Sequence, residues 1–145
     1  MISICKMYEK SEIRIKSILE KENLDYSKIK QNILCSYENE ELLGFAGYEI
    51  KNNIAFLSTI NIFDKTLEMV LKDGLIKSLL NMADINGIKI FMVKECGQMN
   101  FYKNIGFDKL YNRDFLLDID IDENEYSYIK LADFFENPCR SNKKD

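Results

Sequence analysis

Residues 33–63 read ILCSYENEELLGFAGYEIKNNIAFLSTINIF. The pattern predicts three strands joined by two tight turns. Ile33–Glu38 is the first strand, and Glu38-Asn39-Glu40 makes its turn. Leu42–Ile50 is the second, with Leu42, Gly44, Ala46, Tyr48 and Ile50 on one face and Leu43, Phe45, Gly47 and Glu49 on the other, because successive side chains of a strand point to opposite faces. Lys51-Asn52-Asn53 turns the chain again, since asparagine tolerates left-handed backbone angles. Ile54–Phe63 is the third strand. Both its faces are largely apolar, which predicts a central place, covered on two sides.

Beyond this stretch, Leu67, Leu71, Leu75, Leu79, Met82 and Ala83 recur at spacings of three and four, the signature of a helix with one apolar face. It should end at Asn86-Gly87, where glycine accepts a left-handed conformation. Ile88–Val93 is a compact apolar strand, Met99–Asn104 a short helix closed by Gly106, and Phe107–Leu110 and Phe115–Ile121 read as two last strands. Leu131–Glu136 makes a terminal helical turn, stopped by Pro138. Before residue 33, Ile2, Ile4 and Lys6 alternate with Ser3, Cys5 and Met7 as a first strand. Ser11-Glu12 can cap a helix whose apolar face is Ile13, Ile15, Ile18 and Leu19 and which ends near Asn23, and Asp25–Ile29 starts a second short helix. Three hairpin strands followed by a strand–helix–strand unit predict an α/β protein: a mixed, mostly antiparallel central sheet with helices on both faces.

The 145 residues suit a single domain over 1–139, with a flexible polar tail at 140–145. Twenty basic and 24 acidic residues leave a net charge of −4, which argues against a nucleic-acid partner. No apolar run reaches the roughly 18 residues of a membrane span, and the start MISICKMYEK does not read as a secretory leader; the expected location is cytoplasmic. There is no histidine, which removes Ser-His-Asp and Cys-His catalysis and histidine-based zinc sites. Proton transfer must use Asp, Glu, Tyr, Lys, Cys or water. Cys5, Cys35, Cys96 and Cys139 are far apart with no CxxC pair, so they read as reduced thiols and no metal site is expected. A calcium loop beginning at Asp118 fails, because Glu123 and Ile129 stand where glycine and glutamate are needed.

Two segments carry a family resemblance. Asn100-Phe101-Tyr102-Lys103-Asn104-Ile105-Gly106-Phe107 resembles the aromatic-Tyr-x-x-Leu/Ile-Gly-Phe signature of the GNAT superfamily of acyl-CoA-dependent N-acetyltransferases. Leu71-Lys72-Asp73-Gly74-Leu75-Ile76-Lys77-Ser78 resembles that family's pyrophosphate loop, Arg/Gln-x-x-Gly-x-Gly/Ala, with Leu71 at the Arg/Gln position and Ile76 at the second glycine. The element order is similar to the family's from about Ile2 to Ile121.

The resemblance implies acetyl transfer from acetyl-CoA, as co-substrate, to an amine of a small molecule or peptide. It makes Tyr102 the catalytic acid that protonates the departing thiolate, a task suited to a phenol that is protonated at neutral pH. It places pantetheine along Thr59, Ile60, Asn61 and Ile62, and pyrophosphate at Gly74 with Lys72, Asp73, Leu75 and Ile76. The physical logic of the second site is an anion on the free amides of a helix N-terminus. Two helix starts are open. A start near Asp73 puts Gly74 at the anion; a start at Thr66 puts Gly74 inside the helix and moves the anion site toward Asp64–Leu67. The stretch from Ile62 to Leu71 is about one helical turn longer than the family pattern. The changed loop residues leave a second function open, a non-catalytic acyl-CoA-binding or protein-interaction module on the same fold.

Glu49 and Asp64 are the carboxylates that could act as a base. Asp118 and Asp120 alternate with Ile119 and Ile121, as on an edge strand whose charged face could attract a cationic amine. Phe134 and Phe135 should dock on the sheet ahead of Cys139, or close over a cleft or a second copy; a homodimer stays open.

Overall fold

The computed structural model describes residues 1–94 and 97–136. Cys96, Pro138, Cys139 and the tail at 140–145 lie outside the described residues. The strands are β1 (Ile2–Lys6), β2 (Ile33–Glu38), β3 (Glu41–Lys51), β4 (Ile54–Ile62), β5 (Ile90–Lys94), β6 (Asp108–Lys109) and β7 (Tyr126–Lys130), in the sheet order β1-β2-β3-β4-β5-β7-β6. The β4–β5 pairing is parallel, and β1–β2, β2–β3, β5–β7 and β6–β7 are antiparallel. The helices are α1 (Glu12–Lys21), α2 (Tyr26–Ile29), α3 (Glu68–Ile85), α4 (Met99–Ile105) and α5 (Leu131–Glu136). This is the expected mixed, mostly antiparallel α/β sheet.

The described residues group into two compact units, one of Met1–Glu49 with Leu57–Met82, the other of Ile50–Phe56 with the described residues from Ala83 onward. In the first unit, Asn39 and Glu40 form a two-residue turn, both at positive φ (52° and 67°), the geometry that suits the right-handed twist of a hairpin. Ile15 and Leu19 of α1 are fully buried against Ile29, Cys35, Tyr37 and Phe45. Burial pushes the Cys35 thiol up to about 12, because the thiolate loses its hydration there. Two expectations for α1 are corrected. Ile13 points to solvent, 84% exposed. Ser11 makes no side-chain cap; its hydroxyl accepts a 2.8 Å hydrogen bond from the Tyr37 hydroxyl, which itself accepts the Tyr8 amide at 2.9 Å. A buried phenol needs partners, and here Ser11 and the Tyr8 amide supply them. On the other face of β1, a Cβ placed on Gly74 would lie 3.0 Å from Ile4 Cδ1. Cys5 packs with the α1 core, so α1 and α3 cover opposite faces of this strand.

In the second unit β5 pairs with Ile54–Phe56 on one side and Tyr126–Lys130 on the other. Phe91 faces Phe107, ring centroids 6.3 Å apart, whereas its neighbour Met92 is buried with Ile54, Leu110 and Tyr128. Gly106 closes α4 at φ 134°, and the amides of Gly106 and Phe107 both donate to the Tyr102 carbonyl, at 3.1 and 3.0 Å. Phe134 and Phe135 make an edge-to-face pair with centroids 4.8 Å apart.

Two strands expected here are corrected. The one at Phe107–Leu110 shortens to Asp108–Lys109, because Leu110–Asn112 turns tightly. Phe115–Ile121 is not a strand, and the last long strand is Tyr126–Lys130. The alternation across 115–121 is nonetheless real. Phe115, Leu117, Ile119 and Ile121 are half-buried on the Met92–Tyr128 cluster, while Leu116 is 98% exposed. Alternation reports which way side chains point; it does not require a ladder partner. Arg113 anchors the segment, donating from Nη1 to Glu123 Oε2 at 2.6 Å and to the Leu110 carbonyl at 3.3 Å.

Candidate functional site

The parallel ladder between β4 and β5 pairs Ile54, Ala55 and Phe56 with Ile90, Phe91 and Met92, all within the second unit. From Leu57 onward β4 belongs to the first unit. Although β4 is fourth of seven in the sheet order, Ile60, Asn61 and Ile62 are only half-buried. The expectation of a strand covered on both sides therefore holds at Ile54, Ala55 and Thr59, which are buried, and lapses at its last three residues. Gly44 of β3 lets the strands approach here: a Cβ at Gly44 would sit 2.7 Å from the Asn61 carbonyl oxygen. The Phe63 amide donates to the Leu43 carbonyl at 2.8 Å and ends the pairing.

The chain then turns into α3 at Asp64. The Asp64 carboxylate accepts from the Thr66 amide at 3.1 Å and from the Thr66 hydroxyl at 2.6 Å. The Leu67 amide donates to the Asp64 carbonyl at 3.1 Å, and the Glu68 amide to the Lys65 carbonyl. This is an aspartate N-cap, followed by one tight turn over Lys65–Leu67. Of the two helix starts open from the sequence, the structure has the earlier. Lys72, Asp73, Gly74, Leu75 and Ile76 consequently lie inside α3, where amide N–H groups bond to carbonyls four residues back. Lys72, Leu75 and Ile76 are buried, and Asp73 pairs with Lys77 at 3.2 Å.

Tyr102 lies in the second unit, on α4. It is 2% exposed, with its ring edge-to-face against Phe101 and Phe107 at 5.2 and 5.5 Å. The structure thus brings Ile60, Asn61 and Ile62 together with Asp64–Leu67, and sets Lys72–Ile76 in the following turns of α3.

One residue near this strand end was not singled out by sequence reasoning. Glu22, just past α1, accepts the Thr59 hydroxyl on Oε1 at 2.7 Å and the Asn61 amide on Oε2 at 3.2 Å. The signal available was Thr59-x-Asn61, two polar residues on one face of a largely apolar strand. Such a pair asks for a polar partner, but the sequence does not say which. Among the described residues no group of three or more Asp, Glu, Cys or His could hold a metal ion, and no helix is long and apolar enough to cross a membrane.

No protein-family model matches the chain, and no curated protein matches it by sequence. Solved structures do match. An acetyltransferase of the GNAT family from Staphylococcus aureus shares 15% identity, covering 90% of this chain and 99% of its own, with a TM-score of 0.65. The GNAT-family N-acetyltransferase YhbS from Escherichia coli, in complex with CoA, shares 14%, covering 92% and 82%, with a TM-score of 0.68. The ribosomal-protein-S18-alanine N-acetyltransferase of Escherichia coli shares 11%, covering 90% and 94%, with a TM-score of 0.64. Likeness at these identities concerns backbone architecture, and on that ground the fold of this chain is that of the GNAT N-acetyltransferases.

Proposed function

We propose that the chain is an N-acetyltransferase, moving an acetyl group from acetyl-CoA to an amine of a small molecule or peptide. The observation that carries this reading is the half-buried end of β4, Ile60–Ile62, running into the aspartate-capped turn that starts α3. Backbone N–H and C=O groups on such a strand end take an extended, amide-bearing arm as another strand would. In this reading Ile60, Asn61 and Ile62 hold the pantetheine arm and polarise the thioester carbonyl. The amine nitrogen forms a C–N bond to the acetyl carbon, the C–S bond breaks, and the electron pair leaves on sulfur. Tyr102 gives the sulfur its proton and recovers one from water, while the nitrogen's surplus protons pass to solvent.

The pantetheine arm suits the strand end; the pyrophosphate suits the helix start less well. With Gly74 inside α3, the anion falls to the turn at Asp64–Leu67, where the Asp64 carboxylate already holds the Thr66 donors. Diphosphate and carboxylate compete for the same amides and repel each other. Lys72, Asp73, Gly74, Leu75 and Ile76 then support the helix behind the anion. This one observation favours a second reading, a module that binds acyl-CoA weakly, or binds another protein, without catalysis.

Thermal denaturation with CoA, thiol release from acetyl-CoA across an amine panel, and Tyr102→Phe separate the two. The catalyst is stabilised by CoA and releases thiol with at least one amine. Tyr102→Phe lowers turnover about 100-fold with CoA affinity within two-fold. CoA stabilisation without thiol release supports the second reading. No stabilisation at millimolar CoA removes acyl-CoA binding, since ligand at 100 times its Kd adds about 2.7 kcal/mol.

A further inference from the structure

We infer that Glu22 is the acceptor-recognition residue of this site and selects acceptors that carry a cationic aliphatic ammonium. The inference rests on the acetyl-transfer reading for its role, and on the first unit alone for its geometry.

Glu22 follows the last residue of α1, and Asn23, at φ 62°, turns the chain away from the helix. This is the negative end of the helix dipole, where a carboxylate is disfavoured and a cation preferred. Helix stability therefore does not account for a glutamate here. The side chain is nevertheless fixed. The Thr59 hydroxyl donates to Oε1 at 2.7 Å, the Asn61 amide nitrogen donates to Oε2 at 3.2 Å, and the same nitrogen donates to the Thr59 hydroxyl at 2.9 Å. Every donor in this network leads toward the carboxylate, and every donor is neutral. No lysine or arginine among the described residues pairs with Glu22, in contrast to Glu40, which Lys10 meets at 3.0 Å, and Glu68, which Lys65 meets at 3.6 Å. Among the described residues its negative charge is held in place by these two neutral side chains alone. Each carboxylate oxygen has two lone pairs, so each keeps one for a further donor, and the residue is exposed.

Its position gives this charge a use. Thr59 and Asn61 belong to the four residues proposed to line the thioester arm. Eight residues earlier on α1, the Arg14 guanidinium lies 4.1 Å over the ring of Phe63. The helix therefore runs antiparallel along the end of β4, and Glu22 stands over the Thr59 side of it. An aliphatic ammonium, charged at neutral pH like a lysine, brings N–H donors and the missing positive charge. An alcohol or an arylamine is uncharged at that pH and brings only a weaker hydrogen bond.

The test uses the full chain with its glutamate carboxyl carbons labelled with carbon-13, titrated at neutral pH with phenethylamine, spermidine and 2-phenylethanol. The expected result is a saturable shift of the Glu22 carboxyl signal with an amine and none with the alcohol. Affinity for the amine falls about ten-fold or more in Glu22→Gln and is unchanged in Glu20→Gln. A Glu22 signal that responds to neither amine, or equally to the alcohol, overturns the inference without any need for the variant. Equal amine affinity in Glu22→Gln overturns it too. CoA stabilisation, measured on the same samples, tests the underlying reading separately. Amine binding at Glu22 without a CoA response removes acetyl transfer and leaves the cation site. Joint loss of the CoA response and amine binding in Glu22→Gln marks Glu22 as a brace between α1 and β4, and overturns its recognition role.

Discussion

Replacing Gly74 with alanine distinguishes a helix-interior glycine from a phosphate-loop glycine. Inside α3 the substitution gains about 1 kcal/mol of helix propensity. The new Cβ meets one group, Ile4 Cδ1, at 3.0 Å. That atom is the far end of a half-buried side chain, which can turn by a few tenths of an ångström at a cost of about 0.5 kcal/mol. The net expectation is a gain of about 0.5 kcal/mol, or about 1–2 °C in Tm for a chain of this length. Ile4→Val deletes Cδ1, so in that background Gly74→Ala should deliver the full ~1 kcal/mol. The double-mutant cycle then shows a coupling of about 0.5 kcal/mol. Thermal denaturation of the four proteins, with and without CoA, measures all of this. A loss of ~1 kcal/mol or more on adding Gly74→Ala to the Ile4→Val protein would refute the packing argument. A ten-fold loss of CoA affinity at unchanged stability would return Gly74 to the phosphate.

Gly44→Ala should behave in the opposite way. Its Cβ would stand 2.7 Å from the Asn61 carbonyl, a backbone atom, so β3 and β4 must separate, at a cost of about 1–3 kcal/mol; unchanged Tm would mean that the strands are not in close approach there. Asp64→Asn keeps the cap, since asparagine caps as well as aspartate, but removes a negative charge from the proposed pyrophosphate turn. CoA affinity should rise about two- to five-fold at low ionic strength, and a fall in affinity would place the anion elsewhere.

Much of the architecture was legible in the residues because it depends on local chemistry. Asn39 and Asn52-Asn53 mark the hairpin turns, and all three take positive φ. The Leu67–Ala83 spacing marks α3, and Gly106 marks the end of α4. The failures have a common cause. Phe115–Ile121 alternates in sequence and in burial, but whether an extended segment joins a ladder depends on which strand lies beside it, and β5 is paired instead with Tyr126–Lys130. Aromatic and β-branched residues in Tyr126-Ser127-Tyr128-Ile129 carried that signal, and the stronger alternation upstream masked it.

The candidate site divides along the same line. Sequence determined the residue types available: no histidine, a tyrosine before an Ile-Gly-Phe closure, and a largely apolar third strand interrupted by Ser58, Thr59 and Asn61. Tertiary structure decided the helix start, since Asp64 captures the Thr66 amide and leaves Gly74 within α3, facing Ile4. It also decided the partner of Thr59 and Asn61. Glu22 lies 37 residues from Thr59 along the chain, and no local periodicity links a helix end to a strand so far away; only their packing brings the carboxylate to the two donors.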